Sequence, residues 1–289
     1  MTFMTLRNNF IKTAFTLEDF QGLGRRKIWR LVNLFLSEFF ATAVTVYLGC
    51  AIIQSGLFGK PQNHLTIAIG FSFAVGTSIT LFGHISGSHI NPCLSLTSVI
   101  LGKMSFYVAL LYSVAQCLGS LFGYALTRGI LTPEASQIAS QTITSYNFTF
   151  YCDRCVNAYN PQFTVWQTVF AEVWGTGILI WAVCSAWDSR NKHLHDSMPV
   201  KFAVVMVAIV IPTGLYSSCS LNPARSFGPA LYNGLWEYHW IYWVGPILGT
   251  LITAVPYRLI FKPSHMEVIP ESKRDPATLS LRNNKDDDA

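Results

Sequence analysis

The chain has 289 residues, of which 51% are apolar and only 12% charged, and its net charge is +5. This composition excludes an ordinary soluble domain, which carries about twice that share of charged residues, and it indicates a membrane protein. Nucleic-acid binding is disfavoured, because Lys and Arg cluster towards the two ends while the aromatic residues lie in long apolar runs.

Residues 1–30 are polar and basic and lack the apolar core of a secretory signal, so we expect a cytosolic N-terminal tail. Six apolar stretches follow, each long enough to cross about 30 Å of hydrocarbon. Residues 31–261 form the membrane domain, and the polar segment 262–289 is a second cytosolic tail. The predicted spans are 31–53, 64–85, 107–128, 163–184, 199–217 and 239–261.

The distribution of basic residues sets the orientation. With both termini in the cytosol, 16 of the 20 Lys and Arg residues lie in the tails or the cytosolic loops, as the positive-inside rule requires. Loop 129–162 is then extracellular, and Asn147 begins an Asn-Phe-Thr glycosylation sequon within it. We expect a multi-pass protein of the plasma membrane.

Two further apolar segments, 86–100 and 218–231, are too short to span the membrane. Each contains an Asn-Pro pair, Asn91-Pro92 and Asn222-Pro223, and proline suits the first position of a helix because it has no N–H to leave unpaired. We therefore predict two re-entrant half-helices. Irregular backbone at membrane depth is tolerated where it lines a cavity.

The two halves of the chain, 31–128 and 163–261, resemble each other. Glu38 precedes Asn91 by 53 residues, and Glu172 precedes Asn222 by 50. The third span of each half also carries a Gly-x-x-x-Gly motif, which lets helix backbones approach closely. Since each half has three spans, the second copy is inverted in the membrane, as in many transport proteins. The glycines are Gly119, Gly123, Gly245 and Gly249.

Glu38 and Glu172 are carboxylates within apolar spans and should therefore face the protein interior. One hypothesis is a proton relay. The favoured one is that each carboxylate accepts hydrogen bonds from loop backbone and holds its re-entrant segment in place.

Cys152 and Cys155 form the one cysteine motif, a Cys-x-x-Cys in the extracellular loop. A single pair is weak evidence for zinc, which needs four ligands, so no metal is predicted and a local disulfide or two free thiols is expected. The remaining cysteines lie in or beside apolar stretches and are interpreted as packing residues. They are Cys50, Cys93, Cys117, Cys184 and Cys219.

These motifs resemble those of the aquaporin family over about 230 residues. Segment 84–93 is similar to the family's first signature loop and segment 220–229 to its second, although Cys93 replaces the alanine of the first Asn-Pro-Ala motif and Ala224 retains it in the second. The resemblance implies an all-α membrane protein with six transmembrane helices and two half-helices. It also implies a homotetramer with one pore per subunit, no cofactor, and water, glycerol or urea as permeants.

In this family the two half-helices meet at the midplane, where their positive N-terminal ends oppose cations and protons. The Asn91 and Asn222 amides would donate hydrogen bonds to a passing water or hydroxyl group. Backbone carbonyls before each half-helix would accept from the same molecule. Those carbonyls belong to Gly87, Ser88, His89, Ser218, Cys219 and Ser220.

The resemblance also places four residues in a selectivity filter. These are Phe71, Val210, Cys219 and Arg225. Water-selective members have histidine at the position of Val210, so valine predicts a wider and more apolar constriction that suits the carbon backbone of glycerol. Pro212 leaves open an alternative in which a kink moves Ile211 or Thr213 into the filter.

Other positions, among them Ser226, Ala230, Tyr242 and Trp243, resemble the water-channel pattern. The combination resembles the insect glycerol-transporting aquaporins, and a strictly water-selective aquaporin is the alternative. A secondary transporter is a further alternative of another class, which would need ion-coupling carboxylates near discontinuous helices. An enzyme is disfavoured, because no nucleophile motif or phosphate-binding loop is present.

Overall fold

The computed structural model describes residues 24–55, 63–130, 154–158 and 160–261. The sequon at Asn147, Cys152, and the tails 1–23 and 262–289 lie outside these residues, so the predictions for them are untested. The helices, in chain order, are α1 (Arg25–Ser55), α2 (His64–Ser86), α3 (Pro92–Ile100), α4 (Phe106–Ile130), α5 (Val165–Ala186), α6 (Met198–Ser217), α7 (Pro223–Asn233) and α8 (Ile241–Pro256), which a π-helical turn extends to Phe261.

Six of these helices are long and apolar enough to cross a membrane, and α3 and α7 are the two short ones. The all-helical architecture and the six spans are therefore confirmed. The first span differs most from its predicted bounds, because α1 begins at Arg25 rather than at residue 31. Arg and Lys are good helix formers, so the exposed basic turn at 25–30 extends the helix beyond its apolar part.

The surface of the helix bundle is apolar and its interior is partly polar. Trp166, Phe170 and Trp174 on α5 are 74%, 66% and 52% exposed, whereas Glu38 and Glu172 are fully buried. A protein in water would reverse this pattern, because exposed apolar area costs about 25 cal/mol per Å² there. The distribution fits a bundle surrounded by lipid or by other copies of itself.

The two halves pack in the same way. Helix α1 packs against α4 and α2, and α5 packs correspondingly against α8 and α6. Close approach depends on the predicted glycines: a Cβ at Gly119 or Gly123 would overlap carbonyl groups of α1, and one at Gly249 would overlap the Val173 carbonyl of α5. The small-residue prediction is therefore confirmed for these helix pairs.

The prediction for the cysteines needs a correction. Cys155 is not paired within its Cys-x-x-Cys motif but forms a disulfide with Cys50 of α1, 105 residues earlier in the chain. Both residues are buried, and segment 154–158 brings Cys155 against the C-terminal part of α1. Cys50 is therefore a crosslinked residue and not simply a packing residue. Cys93, Cys117, Cys184 and Cys219 are free thiols.

Candidate functional site

The starts of α3 and α7 meet inside the bundle and exchange hydrogen bonds. Asn91 Nδ2 donates to the Leu221 carbonyl at 2.8 Å, and Asn222 Nδ2 donates to the Ile90 carbonyl at the same distance. Each Asn Oδ1 also caps its own helix, accepting from the backbone N–H of Cys93 at 2.9 Å or of Ala224 at 3.0 Å. Because an amide has two N–H donors, each asparagine keeps one for a molecule in the adjoining cavity.

The backbone before each half-helix is in the left-handed region, which non-glycine residues rarely adopt. Such residues cost about 1–3 kcal/mol each and persist where the surrounding structure holds them. The turns they form interrupt the helix before α3 and before α7. The residues are Ser88, Ile90, Ser218, Cys219 and Leu221, with φ between 46° and 58°.

Glu38 holds the first of these loops. One carboxylate oxygen accepts from the His89 N–H at 2.9 Å and the Ser86 hydroxyl at 2.6 Å. The other accepts from the Ile90 N–H and from the Gln116 amide of α4, both at 2.8 Å. Each of these contacts holds the loop before α3 or a neighbouring helix in place, so the geometry of Glu38 is that of a structural anchor.

Glu172 holds the second loop in the same way. It accepts from the Ser217 hydroxyl at 2.6 Å and from the N–H groups of Ser220 and Leu221 at 2.8 Å. Neither Glu172 nor Glu38 is among the described residues that line the cavity. A proton relay would need contact with the pore, so the contacts favour the anchoring hypothesis.

A cavity of about 670 Å³ runs from the end of the bundle near His84, Asp196 and Met198 to Phe71 and Arg225. One wall is apolar, and the other presents the loop backbone and the two asparagines. The apolar residues are Val75, Ile79, Leu94, Leu179, Phe202 and Met206, and the predicted carbonyl residues that line the cavity are Gly87, Ser88, His89 and Ser220. One polar and one apolar wall suit small molecules that have both hydroxyl groups and carbon.

Phe71 and Arg225 line the end of this cavity that lies away from His84 and Met198. The guanidinium carbon of Arg225 lies 4.9 Å from the centre of the Phe71 ring. Arg225 is 5% exposed, and its Nη1 donates to the Cys155 carbonyl at 2.8 Å. A buried cation against an aromatic face, in contact with the path, can select among solutes by size, charge and hydrogen bonding.

The other predicted filter residues lie beside this point. Val210 and Cys219 are buried in an apolar cluster with Ala68, which is one helical turn from Phe71. Neither is among the described residues that line the cavity, and the same is true of Ser218, whose carbonyl accepts from Asn157 Nδ2 at 3.2 Å. The Ser218 carbonyl therefore already accepts one hydrogen bond, and its contact with a permeating molecule stays a prediction.

The alternative raised by Pro212 finds no support in the geometry. Helix α6 continues through this proline to Ser217. The Ile211 side chain is 39% exposed, and the Thr213 hydroxyl donates to the Ile209 carbonyl at 2.6 Å. Neither residue belongs to the cavity wall as far as the structure describes it.

An ion pair lies just beyond the end of α5, next to Trp187, which lines the cavity. Asp188 accepts from Arg190 Nε at 2.8 Å and Nη2 at 2.7 Å, and from the Tyr257 hydroxyl at 2.9 Å. The hydrogen bonds from Arg190 hold the pKa of this carboxyl well below its usual range. Asp188 is thus ionised at any physiological pH and ties the end of α5 to α8.

Two contributors to the site were absent from the sequence predictions. Thr45 of α1 lines the cavity, and the Cys155 carbonyl accepts a hydrogen bond from Arg225. A threonine in an apolar span is a weak signal, because its hydroxyl can bond to the preceding helical turn, as it does here to the Ala41 carbonyl. Cys155 is bonded to Cys50, a pairing that motif spacing did not indicate.

Six membrane-crossing helices enclosing two opposed half-helices, with a polar path between them, define a membrane channel. The chain belongs to the major intrinsic protein family, the aquaporins, whose members are passive channels and not enzymes; the family's sequence model matches residues 25–257.

Relatives of known identity agree with this assignment. The chain is 32% identical over 231 residues to Aquaporin-2 of Ovis aries, covering 79% of this chain and 78% of the relative. It is 30% identical over 249 residues to Aquaporin-4 of Mus musculus, covering 84% and 71%. Among solved structures, the aquaglyceroporin from Plasmodium falciparum shares the fold with a TM-score of 0.67 and 22% identity, over 80% of this chain and 97% of that one.

Proposed function

We propose that this protein passes water and small uncharged solutes, including glycerol and urea, and excludes ions and protons. The observation that carries the proposal is the pairing of α3 and α7, whose capped N-termini face each other beside the cavity. Each helix N-terminus carries about half a positive charge, so two of them oppose a cation at the same depth. Uncharged molecules do not experience this barrier.

The solute range is inferred from the filter. Val210 has neither the polar donor nor the ring of the histidine that water-selective members have at this position, and the adjoining wall is apolar. A polyol fits such a path because its hydroxyl groups can bond to the asparagines and Arg225 while its carbons face the apolar wall. Glycerol and urea are small enough to test this inference directly.

The setting of the channel is also a proposal. The distribution of basic residues supports cytosolic termini, and the plasma membrane is the location proposed. The exposed aromatic face of α5 supports association into a homotetramer, in which each subunit keeps its own pore.

The direct test is reconstitution of the full chain into liposomes. We expect water, glycerol and urea permeabilities above those of empty liposomes, with no dependence on ion gradients and no ionic current. Light scattering measures the three fluxes in one preparation, and a bilayer recording measures the current. Passage of water alone would support the water-selective alternative, and flux that requires a sodium or proton gradient would support a transporter.

Replacing Val210 by histidine tests the solute range. The longer ring would extend from the apolar cluster towards Phe71 and Arg225, so we expect glycerol flux to fall by about tenfold and water flux to fall much less. Val200→His is the matched control, because Val200 lies on the same helix with its side chain 61% exposed. An equal loss of both fluxes in Val210→His would contradict a filter role for this residue.

A further inference from the structure

We propose that the Cys50–Cys155 disulfide determines solute specificity by fixing the backbone carbonyl that positions Arg225. This inference rests on the proposed function, because it concerns the filter of the same pore. It makes the cysteine pair a positioning element, which acts on the solute through the arginine without contacting the solute itself.

Arg225 is attached to Cys155 through its guanidinium group. Its Nη1 donates to the Cys155 carbonyl at 2.8 Å, and its Nη2 lies 3.5 Å from the Cys155 sulfur. Two nitrogens of the guanidinium thus contact one residue, and its central carbon lies over the Phe71 ring. The place of Cys155 therefore sets the place of the charge.

Cys155 has a backbone conformation that is uncommon for a residue other than glycine. Its φ is 52°, in the left-handed region, and this orients its carbonyl towards the arginine. A cysteine does not keep such a backbone without restraint from its surroundings. The disulfide supplies that restraint by joining Cys155 to Cys50, which is fully buried in α1.

Phe71 forms the opposite wall of the filter, and Gly49 of α1 makes room for its ring. Gly49, the neighbour of Cys50, has no side chain, and the Phe71 ring occupies the space that a Cβ would need. Adjacent residues of α1 therefore set the positions of both Phe71 and Arg225. The gap between ring and guanidinium is fixed by one short piece of helix.

The loop has other attachments that do not depend on the disulfide. Asn157 accepts from the Ser226 hydroxyl at 2.8 Å and donates to the Ser218 carbonyl, and Ser218 also donates to the Ala158 carbonyl at 2.9 Å. These bonds keep Asn157 and Ala158 over the second re-entrant loop. Loss of the disulfide should therefore release the Cys155 carbonyl without unfolding the channel.

The test is the double variant Cys50→Ala/Cys155→Ala, which removes the bond and leaves no unpaired thiol. Once released, Arg225 can move away from Phe71, so the filter widens while its charge remains. We expect the ratio of glycerol to water permeability in proteoliposomes to rise by about fivefold, the rate change that corresponds to about one lost hydrogen bond. Cation current should stay at the wild-type level.

Cys184→Ala is the control, because Cys184 is a buried free thiol of α5 packed against Cys93, Ile180 and Ala254. It should leave the ratio unchanged. Gly49→Ala is a second test that leaves the disulfide intact. The added methyl group would push the Phe71 ring into the gap between the ring and Arg225, so the ratio of glycerol to water permeability should fall. A purely structural disulfide would lower both fluxes of the double variant in proportion to the folded protein and leave the ratio unchanged, which would overturn the proposal.

Should the double variant fail to fold, the wild-type protein can be reduced in detergent with dithiothreitol before reconstitution. The reagent transfers two electrons and two protons to the disulfide, giving two thiols and its own cyclic disulfide. Labelling should count two new thiols per chain, and the same rise in ratio is expected. If the wild type passes only water, the proposed solute range is wrong, yet the disulfide proposal still requires glycerol flux to appear on reduction; no glycerol flux would reject it.

Discussion

Replacing Glu38 by alanine should abolish the channel. The carboxylate is fully buried and accepts from two backbone N–H groups, a hydroxyl and an amide. Each buried donor left without a partner costs about 1–3 kcal/mol, and several together approach the whole stability of a typical domain. The left-handed turn before α3 would lose its restraint at the same time. Size-exclusion chromatography of the purified protein and liposome water permeability should both show the loss.

Two further variants test the anchoring role of Glu38. Glu38→Gln keeps one acceptor oxygen but places an N–H donor near the donors of Ile90 and Gln116, so partial loss of folded protein is expected. Glu237→Ala removes an exposed carboxylate and should change neither measurement. A Glu38→Ala protein that folds normally and conducts water at the wild-type rate would contradict the anchoring role. By the internal symmetry, Glu172→Ala should behave as Glu38→Ala does.

The general architecture could be predicted because it follows from strong local signals. Apolar length gives the six spans, and proline at the first helical position gives the starts of α3 and α7 at residues 92 and 223. The glycine pair at 119 and 123 indicated a close helix contact, which exists with α1. Each of these signals lies within a few residues of the feature that it predicts.

The details of the filter depend on contacts between residues distant in sequence, which periodicity and spacing do not contain. Cys155 lies three residues after another cysteine, but its partner is 105 residues away. The family resemblance places position 210 in the filter, yet Val210 is packed into the apolar cluster and is not among the described residues that line the cavity. Three-dimensional packing decides which of several nearby residues forms the wall.

Arg225 can act on solutes through its charge and through its shape, and substitutions at this position can separate the two effects. The guanidinium is a buried cation at one end of the cavity, and its central carbon lies 4.9 Å from the centre of the Phe71 ring. A unit charge about 4 Å from a passing cation opposes it by about 4 kcal/mol at an effective dielectric constant of about 20. That energy corresponds to about a thousandfold in the rate of passage. The half-helix ends at the midplane add a second barrier that does not involve this residue.

Arg225→Val should therefore raise cation current through the protein by up to about a thousandfold, and it should also raise glycerol flux, because the filter loses both charge and volume. Planar bilayer recording and light scattering measure the two effects. Arg225→Lys is the matched control: it keeps the positive charge but loses the planar group that contacts Phe71 and Cys155. We expect the lysine variant to exclude cations as the wild type does while its glycerol-to-water ratio changes. Wild-type cation exclusion in Arg225→Val would mean that the paired ends of α3 and α7 supply the whole barrier, and that Arg225 acts on solute shape alone.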